Sequence, residues 1–169
     1  VLKVLGEVFI NELRFHESID TYTRLINYYP DDYTFIKKLA YSHWSIGNLE
    51  DAFFYYQKIL EYDQEDVDIY NNLGKIAFEL NNYSSSILYY NEAINCGSNN
   101  INTFYNLAIS YGILGKYMQA LIALESVSQF SLENKEINYQ KGIAYYELEL
   151  YNYAIENFIQ YALDNKNDP

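Results

Sequence analysis

The sequence is poor in the residues that mark several common kinds of protein. Among 169 residues there is one cysteine, Cys96, so no disulfide can form within the chain. That favours an intracellular setting, where thiols stay reduced. Only two residues are proline, and half of the chain is apolar, which excludes a disordered proline-rich segment. No apolar run approaches the ~18 residues that read as a bilayer span. The opening stretch VLKVLGEVFINEL carries Glu7 and Glu12 and has no small-residue cleavage signal, so it does not read as a secretory leader. It has no initiator methionine, and the chain is expected to be a piece of a longer protein. Basic residues are also scarce, 11 against 23 acidic ones, for a formal net charge of −12. Such a surface repels nucleic acid and anionic membranes, and neither is expected as a partner.

The usual signatures of catalysis are missing as well. The two histidines, His16 and His43, are not spaced as a metal pair. The run GILGK, ending at Lys116, lacks the spacing and the Ser/Thr of a phosphate loop. Asp63, Glu65, Asp66 and Asp68 lack the glycine and distal glutamate of a calcium loop. They read as a solvated link whose carboxylates can cap a helix. Cys96 has no evident base beside it and reads as a structural thiol. No enzyme activity, cofactor or metal is expected.

What the chain does have is a period of 34 residues, held without insertion or deletion. Counting repeat starts at Tyr33, Val67, Ile101 and Lys135, and entering the first repeat at its third position, gives repeats 1–32, 33–66, 67–100, 101–134 and 135–168. These five repeats are expected to form a single domain. Position 7 reads Leu5, Leu39, Leu73, Leu107 and Lys141, and position 8 reads Gly6, Ala40, Gly74, Ala108 and Gly142. Position 20 is again small, with Ser18, Ala52, Ser86, Ala120 and Ala154, and position 24 is large, with Tyr22, Tyr56, Tyr90, Leu124 and Phe158. Three- and four-residue spacing within each repeat predicts two helices. Gly47, Asn81 and Gly115 at position 15 predict left-handed turns between them. Asp66, Asn100 and Asn134 stand where helix caps are expected. Small residues at positions 8 and 20 let helix backbones approach, and the large residue at position 24 fills the space beside them. One helix pair cannot bury its apolar face alone, so neighbouring pairs must stack.

This pattern resembles the tetratricopeptide repeat, over essentially the whole chain. It departs from the family at Lys141 and at Glu149, which takes the place of glycine at position 15; of the family's position-32 prolines only Pro30 is present. These departures weaken the fifth repeat most. The resemblance implies an all-α fold, a right-handed α-solenoid of antiparallel helix pairs with the first helices lining a concave groove.

The resemblance also implies which residues face that groove, at positions 2, 5, 6, 9, 12 and 13. These are Lys37, Lys38, Tyr41 and Trp44 in the second repeat, and Asn71, Asn72, Lys75 and Phe78 in the third. The fourth contributes Asn102, Tyr105, Asn106 and Ile109, and the fifth Tyr139, Gln140 and Tyr146. Asn72, Asn106 and Gln140 form a column of amides at position 6, each able to donate to and accept from a peptide backbone. A similar asparagine column lies in the repeat domain of the O-linked N-acetylglucosamine transferase, where it grips substrate peptides. Lys3, Lys37, Lys38 and Lys75 would favour an acidic ligand. The lysine and asparagine set by which some family members clamp chaperone tails fits in no register. The expected function is a non-catalytic scaffold that binds an extended peptide or a partner helix. The alternatives are a self-assembling module, with self-association through the terminal helices, and the substrate-recruiting part of a larger enzyme such as a glycosyltransferase.

Overall fold

The computed structural model describes residues 1–128 and 135–166. Among the described residues all regular structure is helical. The helices run α1 Leu2–Asn11, α2 Phe15–Tyr28, α3 Tyr33–Ser45, α4 Leu49–Ile59, α5 Val67–Glu79, α6 Tyr83–Asn95, α7 Ile101–Ile113, α8 Tyr117–Ser128, α9 Lys135–Glu147 and α10 Tyr151–Lys166. They fall into two compact units, one up to Asn82 and one from Tyr83 on. Within each unit successive helices pack on one another, which is the α-solenoid type of architecture. The division falls between the two helices of the third repeat.

The turn at position 15 is left-handed in all five repeats: Leu13, Gly47, Asn81, Gly115 and Glu149 have φ of 59°, 81°, 57°, 69° and 60°. In each, the N–H of the next residue donates to the carbonyl at position 11, from Arg14 to Phe9, Asn48 to His43, Asn82 to Ala77, Lys116 to Tyr111 and Leu150 to Tyr145, at 2.8–2.9 Å. This six-to-one bond closes the first helix as a Schellman motif. The geometry therefore belongs to the repeat and not to glycine, and Leu13 and Glu149 adopt it at a steric cost of ~1–2 kcal/mol each. Leu13→Gly and Glu149→Gly are each expected to stabilise the protein by about 1 kcal/mol, since part of the relief is offset by glycine's larger unfolded-state entropy. Thermal melting of the two variants measures it, with Gly47→Ala expected to move the other way.

Side-chain caps start α3, α5 and α7. The Asp32 carboxylate accepts from the Thr34 N–H at 3.1 Å, Asp66 from Ile69 at 3.1 Å, and Asn100 from Asn102 at 2.9 Å. The cap expected at Asn134 lies outside the described residues.

Packing follows the small-to-large rule. A Cβ built on Gly6 would stand 2.8 Å from the Tyr22 ring, and one on Gly142 would stand 2.6 Å from the Phe158 ring. In these two repeats the ring at position 24 thus lies directly on the glycine at position 8. The fifth pair forms despite its departures, with Ile137, Ala144 and Ala154 buried. In the first unit Tyr22, Leu25, Phe35 and Leu39 make a buried cluster. In the second, Ile87, Leu107, Ala120, Leu124 and Val127 belong to a larger one. Where position 20 is serine, the following helix answers with serine at position 10. Ser18 and Ser42 share a hydrogen bond of 2.8 Å, and Ser86 and Ser110 one of 3.1 Å, all four fully buried. Where position 20 is alanine, at Ala52 and Ala120, position 10 of the next repeat is Ile76 and Ala144. Burial without a partner for its hydroxyl pushes the Tyr22 phenol up to about 12.

Candidate functional site

The residues expected to bind a partner lie on the first helices, and each unit carries its own set. In the first unit Trp44 is the centre of a built cluster. Its indole N–H donates to the Glu79 carboxylate at 3.1 Å, the Lys75 ammonium stands 4.7 Å over its ring, and its edge meets the Tyr56 ring at 6.4 Å. An ammonium over an indole face is attracted by the ring quadrupole. Three residues at positions 12, 9 and 13 of adjacent repeats thus hold one another. Tyr41 is 43% exposed and rests edge-on against Phe15. Asn71, Asn72 and Phe78 are half-buried, and Lys38 is exposed.

The expected lysine set is not all available to a ligand. Lys37 makes an ion pair of 3.0 Å with Asp66, whose other carboxylate oxygen caps α5. One acid therefore neutralises the lysine and starts a helix. Lys3 sits 5.8 Å over the Phe35 ring. Sequence spacing could not show the Lys37 pairing, because the two groups are 29 residues apart.

In the second unit Asn102 is exposed, and Tyr105, Asn106, Ile109 and Gln140 are half-buried. Burial raises the Tyr105 phenol, Glu136 adds to the rise, and a hydrogen bond with the Gln140 side chain opposes it. Tyr139 packs on Phe158 and Tyr161 with centroids 6.0 and 5.1 Å apart, so part of its ring serves the fold. Tyr146 is 57% exposed and meets Tyr151 edge-on. The amide column is thus Asn72 in one unit and Asn106 with Gln140 in the other.

His43 is half-buried, as its position 11 predicts. It stacks on Tyr55 with centroids 5.4 Å apart, and its Nδ1 lies 3.4 Å from an Asp51 oxygen. Burial holds its pKa below the ordinary value, against the pull of Asp51. Among the described residues there is no cluster of His, Cys, Asp and Glu able to hold a metal ion, and no helix long and apolar enough to cross a membrane.

The family model of the tetratricopeptide repeat matches residues 5–32. That of anaphase-promoting complex, cyclosome, subunit 3 matches residues 45–127. No curated protein sequence matches the chain. Among solved structures, a crystal structure of MamA protein superposes with a TM-score of 0.90 at 20% identity, over 98% of this chain and 90% of that one. MamA from residue 41 onward, from Desulfovibrio magneticus RS-1, gives 0.88 at 11% identity, over 99% and 96%. YrrB, described as a TPR protein with an unusual peptide-binding site, gives 0.87 at 14% identity, over 96% and 84%. At such identities the likeness is one of fold. The 34-residue register, the recurring Schellman turn and the ring-on-glycine packing agree with these matches: the chain is built of repeats of the tetratricopeptide type.

Proposed function

We propose that the chain is a non-catalytic interaction scaffold that holds an extended stretch of a partner protein along the faces of its first helices. The observation that carries this is the Trp44 cluster. An indole fixed by a carboxylate and an ammonium is a rigid, amphipathic surface of the kind that anchors interfaces. Tyr41 and Lys38 stand exposed on the same helix. The amides Asn72, Asn106 and Gln140 supply backbone contacts that any sequence can use. YrrB, of the same fold, is described as having a peptide-binding site. Each amide bond nets ~1 kcal/mol, and ordering a flexible segment opposes it by a few. Aromatic contacts must therefore supply much of the affinity, which is expected near micromolar, about −8 kcal/mol.

The test is selection of displayed peptides on the 169-residue chain, followed by titration against variants. Trp44→Ala and the double change Asn72→Ala with Asn106→Ala are each expected to weaken selected peptides by about tenfold, the equivalent of 1.4 kcal/mol. Failure to enrich any peptide, or titrations indifferent to all three substitutions, would refute the reading.

A second reading, self-assembly, is favoured by one specific observation. On α10, Ile155, Ile159 and Leu163 are 56%, 54% and 50% exposed along one stripe. Sedimentation across a range of concentrations separates the readings, because a monomer at high concentration speaks against assembly.

A further inference from the structure

We propose that a cavity in the second unit is a receptor for an indole side chain of the bound polypeptide. The inference deepens the scaffold reading and rests on it. The cavity measures about 250 Å³, and Ile109, Gly112, Leu124, Ile143 and Glu147 are among the residues that line it. Its meaning comes from the chain's own register. Two repeats, or 68 residues, earlier, Trp44 stands at the place of Gly112, Tyr56 at that of Leu124, Lys75 at that of Ile143 and Glu79 at that of Glu147. Tyr56, Lys75 and Glu79 are the groups that the Trp44 ring contacts in the first unit. The first unit therefore shows these positions gathered around an indole of the chain itself, and in the second the corresponding positions, with only the glutamate retained, line a cavity.

Gly112 has no structural reason to be glycine. A Cβ there would meet nothing within 4 Å, and its φ is not in the left-handed region. Glycine inside a helix is unfavourable, and α7 runs to Ile113. The other repeats with a complete first helix carry Trp44, Phe78 and Tyr146 at this position. What Gly112 does is leave room.

The walls select the occupant. Leucine and isoleucine replace Tyr56 and Lys75, so the cavity is more apolar than the site that Trp44 fills. An apolar cavity of ~150 Å³ is known to take benzene, and the larger space here suits a bicyclic ring. The carboxylate of Glu147 is retained at the place of Glu79, where an indole N–H is accepted in the first unit. A flat apolar bicycle with one N–H donor meets both conditions, and tryptophan is the side chain that has it.

The experiment uses N-acetyl-tryptophanamide, indole and 1-methylindole on the 169-residue chain, read by the methyl resonances of Ile109, Ile113 and Ile143. Indole and the tryptophan amide are expected to shift these signals saturably in the millimolar range. 1-Methylindole, which has no N–H to donate, is expected to bind about fivefold more weakly, the equivalent of one hydrogen bond. In Glu147→Leu that difference should vanish. Gly112→Trp should abolish the shifts by filling the cavity, and Gly112→Leu serves the same end if the larger ring disturbs folding. Absence of saturable shifts, shifts that persist in both Gly112 variants, or equal binding of N-acetyl-tyrosinamide would overturn the proposal. A chain that ignores indole but holds selected peptides through the Trp44 face loses the cavity and keeps the scaffold. One that binds indole but enriches no peptide does the reverse.

Discussion

Truncation of Leu39 to alanine is expected to destabilise the first unit by about 2–5 kcal/mol while leaving protection in the second unit largely intact. Leu39 is 1% exposed and packs with Tyr22, Leu25 and Phe35 from α2 and α3. Removing three carbons there loses their transfer free energy and leaves a cavity, because rings fixed on neighbouring helices do not collapse into it. Folding in a repeat array is a sum of intrinsic repeat terms and nearest-neighbour terms, so damage decays along the chain. Hydrogen exchange read by mass spectrometry measures this directly. Amides of α2 and α3 should exchange faster in the variant. Those of α7 and α8, whose core centres on Leu107 and Leu124, should change little. Equal acceleration throughout would mean that all the repeats unfold as one cooperative body.

The helices were legible from the sequence because their causes are local. The 34-residue spacing of Leu39, Leu73 and Leu107 states a helix face, and the small residues at positions 8 and 20 state a close approach. The left-handed turns expected at Gly47, Asn81 and Gly115 are present, and the same turn recurs where no glycine or asparagine announces it. Leu13 and Glu149 make the same Schellman turn, because the bond from position 16 to position 11 and the packing of two helices impose it on whatever residue stands there. Side-chain pairings across repeats were not legible. Lys37 counts as a groove cation by register, yet its ammonium reaches the carboxylate that caps the next repeat. Trp44 was visible as an aromatic at position 12, but its bond to Glu79 and its contact with Lys75 depend on how two first helices sit side by side. Gly112 carried a readable signal, the one missing side chain in the position-12 column. Its consequence, a cavity, appears only when Ile143 and Glu147 are brought beside it.

Gly142→Ala is expected to destabilise the fifth helix pair by about 1–2 kcal/mol, and Gly142→Val by about 3 kcal/mol, although both residues add a side chain to a mid-helix glycine. Helix propensity alone predicts the opposite for alanine, a gain of ~1 kcal/mol. Packing decides the sign. The added Cβ would stand 2.6, 2.7 and 2.9 Å from three atoms of the Phe158 ring, closer than any real Cβ contact. That ring is held in turn by Tyr139, with centroids 6.0 Å apart, and Tyr139 leans on Tyr161, so it cannot simply swing away. Two other repeats carry alanine at position 8, Ala40 with Tyr56 and Ala108 with the smaller Leu124 at position 24, all buried. Phe158→Leu should therefore be mildly destabilising alone and should relieve Gly142→Ala, with a coupling of about 1 kcal/mol or more in a denaturant double-mutant cycle. Additive effects would mean that the glycine is not there to seat the ring. In that case the small residue at position 8 would have to be explained by backbone approach alone.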